Sequence, residues 1–412
     1  MSDNGCKDPA SAQTRNPILW GAYLACSWTW CIGMFLPAVL LRDMGWAGFL
    51  IFAIPNVIGA AAMGWFIKTR IDSVRFVENH PAAVWWFSAI TLAFHVFWML
   101  WILNFIRDVF QIPDPYLVGV AGIGAAFFLI LGKAIRFGRA PQLALALLTL
   151  SLGVLIATFV MPDVKEANAA LLDSAPGSTA PLWMFPVMIF GFLLCPYLDL
   201  TFHHARQQLD TQKNGRLGFT IGFVVFFTCM IILTTRYAGV IAGTLSGVRF
   251  VSIASPWLAA GILTHILCQW IFTVRVHFDR ICTLSGSPSK RPILFILALL
   301  SGLIGFFAIK LPAYAGLTGG EIIYRSFMSA YGLVFPSYML YLVVIARRGK
   351  SALSLPMMWI AIALASPMFW LGFIERQTIW LVPGMGVVML GAMVLFIKRP
   401  QSPDASSSEG SD

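Results

Sequence analysis

Charge is what this chain has least of. Asp, Glu, Lys and Arg make up 11% of its 412 residues, where ordinary soluble domains carry about 25%. With 58% of residues apolar, no water-soluble fold could hide so much apolar surface. Paired cysteines are also missing. Cys6, Cys26, Cys31, Cys195, Cys229, Cys268 and Cys282 contain no CxxC pair, and most lie in apolar runs, which argues against both a disulfide framework and a zinc site. There is no Walker A loop, no HExxH and no GxSxG, so ATP-driven transport by this chain alone and standard hydrolase chemistry are disfavoured. Asp199, His203 and His204 faintly resemble a histidine box of membrane di-iron enzymes, yet 6 histidines in all are too few and too scattered. The chain reads as a non-enzyme with no cofactor and no metal. Alternating ten-residue strands are absent as well. A backbone in lipid must satisfy its own polar groups, which leaves helices.

What is present is a series of apolar runs, each near the roughly 20 residues that cross a ~30 Å hydrocarbon core. They fall at 17–41, 45–67, 82–106, 115–135, 141–161, 182–204, 217–236, 256–277, 292–312, 322–346, 353–373 and 377–397, and are called here runs 1 to 12. The fold class is therefore an all-α polytopic membrane protein with about twelve transmembrane helices. The formal charge of +10 could suggest nucleic acid, but the basic residues sit in short clusters between runs. With the N-terminus inside, 20 of the 28 Lys and Arg residues fall on inner segments, among them Lys68, Arg70, Arg75, Arg136, Arg139, Arg206, Arg280, Arg347 and Arg348. The longest outer segment, 163–180, is acidic. This positive-inside bias supports an even helix count with both termini cytoplasmic, in a plasma or bacterial inner membrane. The tails 1–16 and 398–412 are polar and read as disordered. No nucleic-acid partner is expected; the lipid bilayer is.

Weak internal matches recur in one order. Run 1 holds Gly33 and Pro37, and run 6 holds Gly191 and Pro196, a glycine followed four or five residues on by a proline. Val74-Arg75-Phe76-Val77 follows run 2, and Val248-Arg249-Phe250-Val251 follows run 7. His95 lies in run 3 and His265 in run 8. Such an order suits two five-helix halves of opposite orientation, 17–161 and 181–346, with 353–397 appended. Segments 68–80 and 238–255 are too short and too polar to span, and are expected to be amphipathic or re-entrant.

The stretch Gly21-Ala22 through Ser27, Ile32-Gly33, Pro37-Ala38, Gly45 and Gly64-Trp65 resembles the first core helices of sodium/solute symporters, within the larger group sharing the leucine-transporter fold. The likeness covers about 50 residues, mostly small ones. It implies a ten-helix inverted-repeat core with two further helices, and a substrate site between runs 1, 3, 6 and 8. Run 8 departs from such symporters. It offers only Thr264 and Thr273 near His265 where serine or threonine pairs usually complete a sodium site, so sodium and proton both stay open as coupling ion.

The candidate site residues are Gly33, Pro37, His95, Gly191, Pro196, Asp199 and His265. Gly33/Pro37 and Gly191/Pro196 either interrupt their helices and free backbone groups for ligands, or are packing kinks. Asp199 either serves the site or pairs with His203 or Arg206 at a helix end. His95 and His265 are proton relays, substrate ligands or bonded structural histidines, and are expected to face one cavity from opposite walls. Trp28, Trp30 and Trp98 either line a pocket or pack. The reading that follows is a secondary transporter for a small-molecule solute. A non-transporting sensor or assembly subunit on the same fold is the alternative, and an intramembrane enzyme a third. A ligand-sized polar cavity at the two interruptions separates the first from the second.

Overall fold

The computed structural model describes residues 16–110, 113–161, 180–245, 256–285, 290–345 and 353–397. They form helices α1 (Pro17–Trp28), α2 (Cys31–Phe66), α3 (Arg70–Asn79), α4 (Pro81–Phe110), α5 (Asp114–Arg136), α6 (Ala140–Val160), α7 (Ala180–Leu194), α8 (Leu200–Gln208), α9 (Gln212–Thr220), α10 (Thr228–Arg236), α11 (Ala238–Leu245), α12 (Pro256–Ser285), α13 (Arg291–Phe307), α14 (Gly319–Tyr338), α15 (Ser354–Phe373) and α16 (Leu381–Ile397). A wide π turn, Ile221–Phe227, joins α9 to α10, and another, Met339–Ile345, extends α14. The described residues contain no β-strand beyond one isolated bridge, Tyr314 with Leu317. Among them, 11 helices are long and apolar enough to cross a membrane. The chain is an all-α, multi-pass membrane protein.

One of those eleven is two segments. A straight helix of 36 residues would run about 54 Å, far beyond a ~30 Å core. Gly45 divides it, at φ 62° and ψ −156°, a backbone open essentially to glycine alone. Helix α1 with segment 31–44 corresponds to run 1, and segment 46–66 to run 2.

Packing follows from small residues at close approaches, as expected where lipid removes the hydrophobic drive between helices. A Cβ on Gly21 of α1 would lie 3.2 Å from both Gly218 O and Gly222 N, so α1 meets the α9–π segment backbone to backbone. Gly59 of α2 likewise lies against the backbone of Phe192 in α7. The neighbour relations come in pairs: α1 packs on α6 as α7 packs on α14, and α5 packs on α12 as α13 packs on α4. Helices α5 and α13 both turn large apolar side chains outward, with Ile123 at 69% and Phe295 at 70% exposure, which suits lipid.

Segment 68–80 is the amphipathic helix expected of it. Thr69 and Asp72 form a reciprocal capping box, and Ser73, Phe76 and Val77 face inward from α3. Of segment 238–255, residues Ala238–Leu245 form α11, and the rest, with Arg249, lies outside the described residues. So do nearly all of both tails and of 163–180. Run 8 is longer than its hydropathy suggests: α12 continues to Ser285 and carries His277 well inside the protein.

Candidate functional site at the paired helix interruptions

Two helices are interrupted where they meet, one in the stretch of run 1 and one in that of run 6. Between α1 and α2 the chain leaves helical geometry at Thr29 (φ −75°, ψ 65°) and Trp30 (φ −73°, ψ 176°). Neither glycine nor proline causes this. Ser27 and Thr29 donate their hydroxyl protons to the carbonyls of Leu24 (3.1 Å) and Ala25 (2.7 Å), and the Trp30 indole donates to Ser27 O at 2.6 Å. Side chains so placed compete with the helix ladder for its acceptors. Between α7 and α8 the helix tightens into a 3₁₀ turn, Cys195–Leu198, opens at Asp199 (ψ 115°), and restarts. Pro196 removes a backbone donor there. Asp199 then caps α8, its Oδ1 accepting from Thr201 N and Thr201 Oγ1, each at 2.7 Å.

The interruptions touch. Thr201 Oγ1 is 3.2 Å from Ser27 Oγ, and the Phe202 and Trp28 rings lie 4.9 Å apart. Trp30 occupies the middle, with Trp28, Phe87, His95, His277 and Tyr331 all within 4.6–5.8 Å of its ring centre. Aromatic side chains thus fill the space between the breaks. The polar atoms among them are poorly satisfied: Asp199 Oδ2, His95 Nε2, both ring nitrogens of His277 and the Tyr331 hydroxyl are buried with no hydrogen-bond partner. Asp199 Oδ2 and His277 Nε2 are 3.8 Å apart, both side chains fully buried. Burying such atoms unpaired is costly, and the few left so in native proteins mark a bound water or ion, a catalytic or redox role, or stored strain. No three His, Cys, Asp or Glu side chains among the described residues are placed to hold a metal ion together.

Of the sequence-derived candidates, Pro196, Asp199 and His95 meet at this centre. Gly33 and Pro37 do not interrupt a helix: both sit inside α2. The physical reason is a substitute donor. Pro37 lacks the N–H that would bond Gly33 O, and the Thr234 hydroxyl of α10 supplies it at 2.8 Å, while Tyr237 does the same for Met34 O at 3.0 Å. Gly191 too lies within continuous helix, in α7, four residues before the tightened turn begins at Cys195. It lines a narrow apolar cavity of about 40 Å³ with Leu36, Met188, Met328 and Tyr331. His265 is not opposite His95. It bonds Ser151 Oγ of α6 at 2.8 Å and lies beside Tyr237, twelve residues, or about 18 Å along α12, from His277. Its place at the centre is taken by His277, which sequence reasoning assigned to a helix end. Asp199 pairs with neither His203 nor Arg206. His203 bonds Ser73 and Tyr197 O, and Arg206 donates to the carbonyls of Ile67, Lys68 and Leu209. Of the run 8 threonines, Thr264 is exposed and bonds its own helix, and Thr273 donates to Cys26 O at 3.1 Å.

No family model matches this chain, and no curated protein matches it.

The centre is shut on both sides. Toward the Gly45 turn, Arg42 and Asp43 bond Glu321 and Arg325 of α14 crosswise, two cations against two carboxylates, and Arg325 also reaches Phe373 O of α15. Toward the start of α1, Arg280 of α12 donates to His204 of α8 at 3.0 Å, and Trp20 and Tyr23 of α1 close edge-on upon that imidazole.

Proposed function

We propose that this chain is a secondary transporter that moves a small solute across a cell membrane by alternating access. The fold behind this reading is a ten-helix inverted repeat of the leucine-transporter kind with two appended helices. Counting the Gly45 turn as a boundary divides one of the eleven apolar spans and gives twelve, with both termini cytoplasmic, in keeping with the positive-inside bias. The paired neighbour relations support the repeat, since α1 on α6 has its counterpart in α7 on α14, and α5 on α12 in α13 on α4, five spans on. The observation that carries the function is the meeting of two interrupted helices, one from each half, among buried polar atoms that have no partner.

The test begins with thermal-shift screening of the purified protein across amino acids, sugars, nucleobases and ions, followed by uptake of each stabilising solute into proteoliposomes. A solute that raises the melting temperature should accumulate in vesicles holding wild-type protein, and Asp199→Asn should lose uptake. A second reading is favoured by one observation: Trp30 and its aromatic neighbours fill the place a solute would take. A sensor or assembly subunit on the same fold would bind without accumulating. Binding with no uptake by wild-type protein would overturn the transporter in favour of that reading.

A further inference from the structure

Basic lone pairs converge at the interruptions with no fixed cation beside them. His95 Nδ1 lies 2.6 Å from Thr91 O, and a carbonyl only accepts, so in the neutral ring the proton is on Nδ1 and Nε2 keeps a lone pair. His277 presents both nitrogens unbonded, and Asp199 presents Oδ2. The groups facing this carboxyl are few. His277 of α12 faces Oδ2, Thr201 bonds Oδ1, and Tyr23 of α1 and Tyr331 of α14 lie near; beyond them His95 of α4 and His277 meet at the ring of Trp30, and Ser27 lies 3.2 Å from Thr201 Oγ1. The neighbouring cations are engaged elsewhere: Arg280 on His204, Arg275 on Asp279. His203 has both nitrogens bonded.

We infer that the Asp199–His277 pair is the seat of one exchangeable proton, which makes H⁺ the coupling ion; this rests on the transporter reading above. A single proton between Oδ2 and Nε2 satisfies both atoms, as a neutral acid and imidazole or as a carboxylate and imidazolium. Without it the carboxylate carries a full charge in a water-poor centre, and the one proton left on the neutral imidazole has to sit on Nε2 to meet it across 3.8 Å, which leaves Nδ1 a lone pair. Only an O–H or N–H bond forms or breaks: the proton comes from water on one side and returns to water on the other. The pair also touches the hinge. Asp199 is the cap of α8, and His277 lies 5.6 Å from the ring of Trp30, the residue from which α2 starts. Adding or removing the proton therefore changes the load on both interruptions at once.

The experiment is infrared difference spectroscopy of the full chain in nanodiscs, in potassium buffers from about pH 5 to about pH 9, the range over which an imidazole environment changes charge. Wild-type protein should show the carbonyl stretch of a protonated carboxylic acid at low pH and lose it at high pH. Asp199→Asn should lack that band, Asp199→Glu should keep one at a shifted frequency, and His277→Gln should move its midpoint. The fluorescence difference between wild type and Trp30→Phe should titrate with the same midpoint, since a protonated imidazole beside the indole quenches it. A band that persists in Asp199→Asn, or its absence from wild type at every pH, overturns the proposal. So does a sodium site: NaCl, but not KCl, raising the melting temperature of wild type and not of Asp199→Asn. None of these readings needs a transported solute, so failure of the proton site and failure of the transporter reading are told apart.

Discussion

Pro37 removes one backbone donor from α2, and Thr234, on another helix, restores it. Thr234→Val should therefore lower the thermal stability of the detergent-solubilised protein by roughly 0.6–1.7 kcal/mol, from the mean to the largest value measured for interhelical hydrogen bonds in a membrane protein, while Thr234→Ser should restore most of it. This pair explains what could and could not be read from the chain. A proline four residues after a glycine signals a freed carbonyl, but the sequence does not show whether a distant hydroxyl will cap it. Gly33 and Pro37 were thus misplaced by a few residues from the true break, which hydroxyl and indole bonds create at Ser27, Thr29 and Trp30 without any glycine or proline. Pro196 needed no such help and was legible. His277 was hidden for another reason: Arg275, Asp279 and Arg280 surround it, and charge at that density reads as a helix end, although those charges settle on one another and on His204.

At the scale of elements, the amphipathic pattern of α3 was legible and its role was not, because the role depends on what lies beneath. Ser73 bonds His203 and Gln207 of α8, and Phe76 stacks on His203 with centroids 5.0 Å apart. Ser73→Ala should raise amide exchange throughout 70–79 and 200–208 together, as measured by hydrogen–deuterium exchange, and leave α16 unchanged; exchange confined to α3 would break the proposed linkage. The α1 contact is less forgiving. A Cβ on Gly222 would sit 2.8 Å from Gly21 O, so Gly222→Val should cost about 1–3 kcal/mol by overpacking, read as a lower melting temperature.

For the molecule as a whole, the centre is sealed by unlike materials: a four-residue charge cluster on one face, and an arginine–imidazole bond under aromatic rings on the other. The charge cluster joins the Gly45 turn to α14 and, through Phe373 O, to α15, so removing one carboxylate leaves two guanidiniums facing a single acid. In a background carrying Met188→Cys, on the wall of the narrow cavity below, Glu321→Gln should speed reaction with a membrane-impermeant maleimide added from that face. Equal rates with and without Glu321→Gln would mean the cluster is no barrier. The spans themselves were legible because hydropathy is a property of each run alone. The centre was only half legible, because it is assembled from the register of five helices, which no single run records.

The bond from His80 to Tyr338 adds a mechanical constraint. Helix α3 is held to α8 along its length and to the end of α14 at its tail, so it acts as a yoke across two members of the bundle. A yoked pair has one swing, not two: α8 cannot tilt outward without dragging α14 by the lever of α3. On that face α1 holds α8 and α12 through contacts at Trp20, Tyr23 and Thr273, and the α9–π segment through the backbone at Gly21. Any swing of α1 about the break at Thr29 and Trp30 therefore carries the α9–π segment with it, because Gly21 leaves no space between the two backbones.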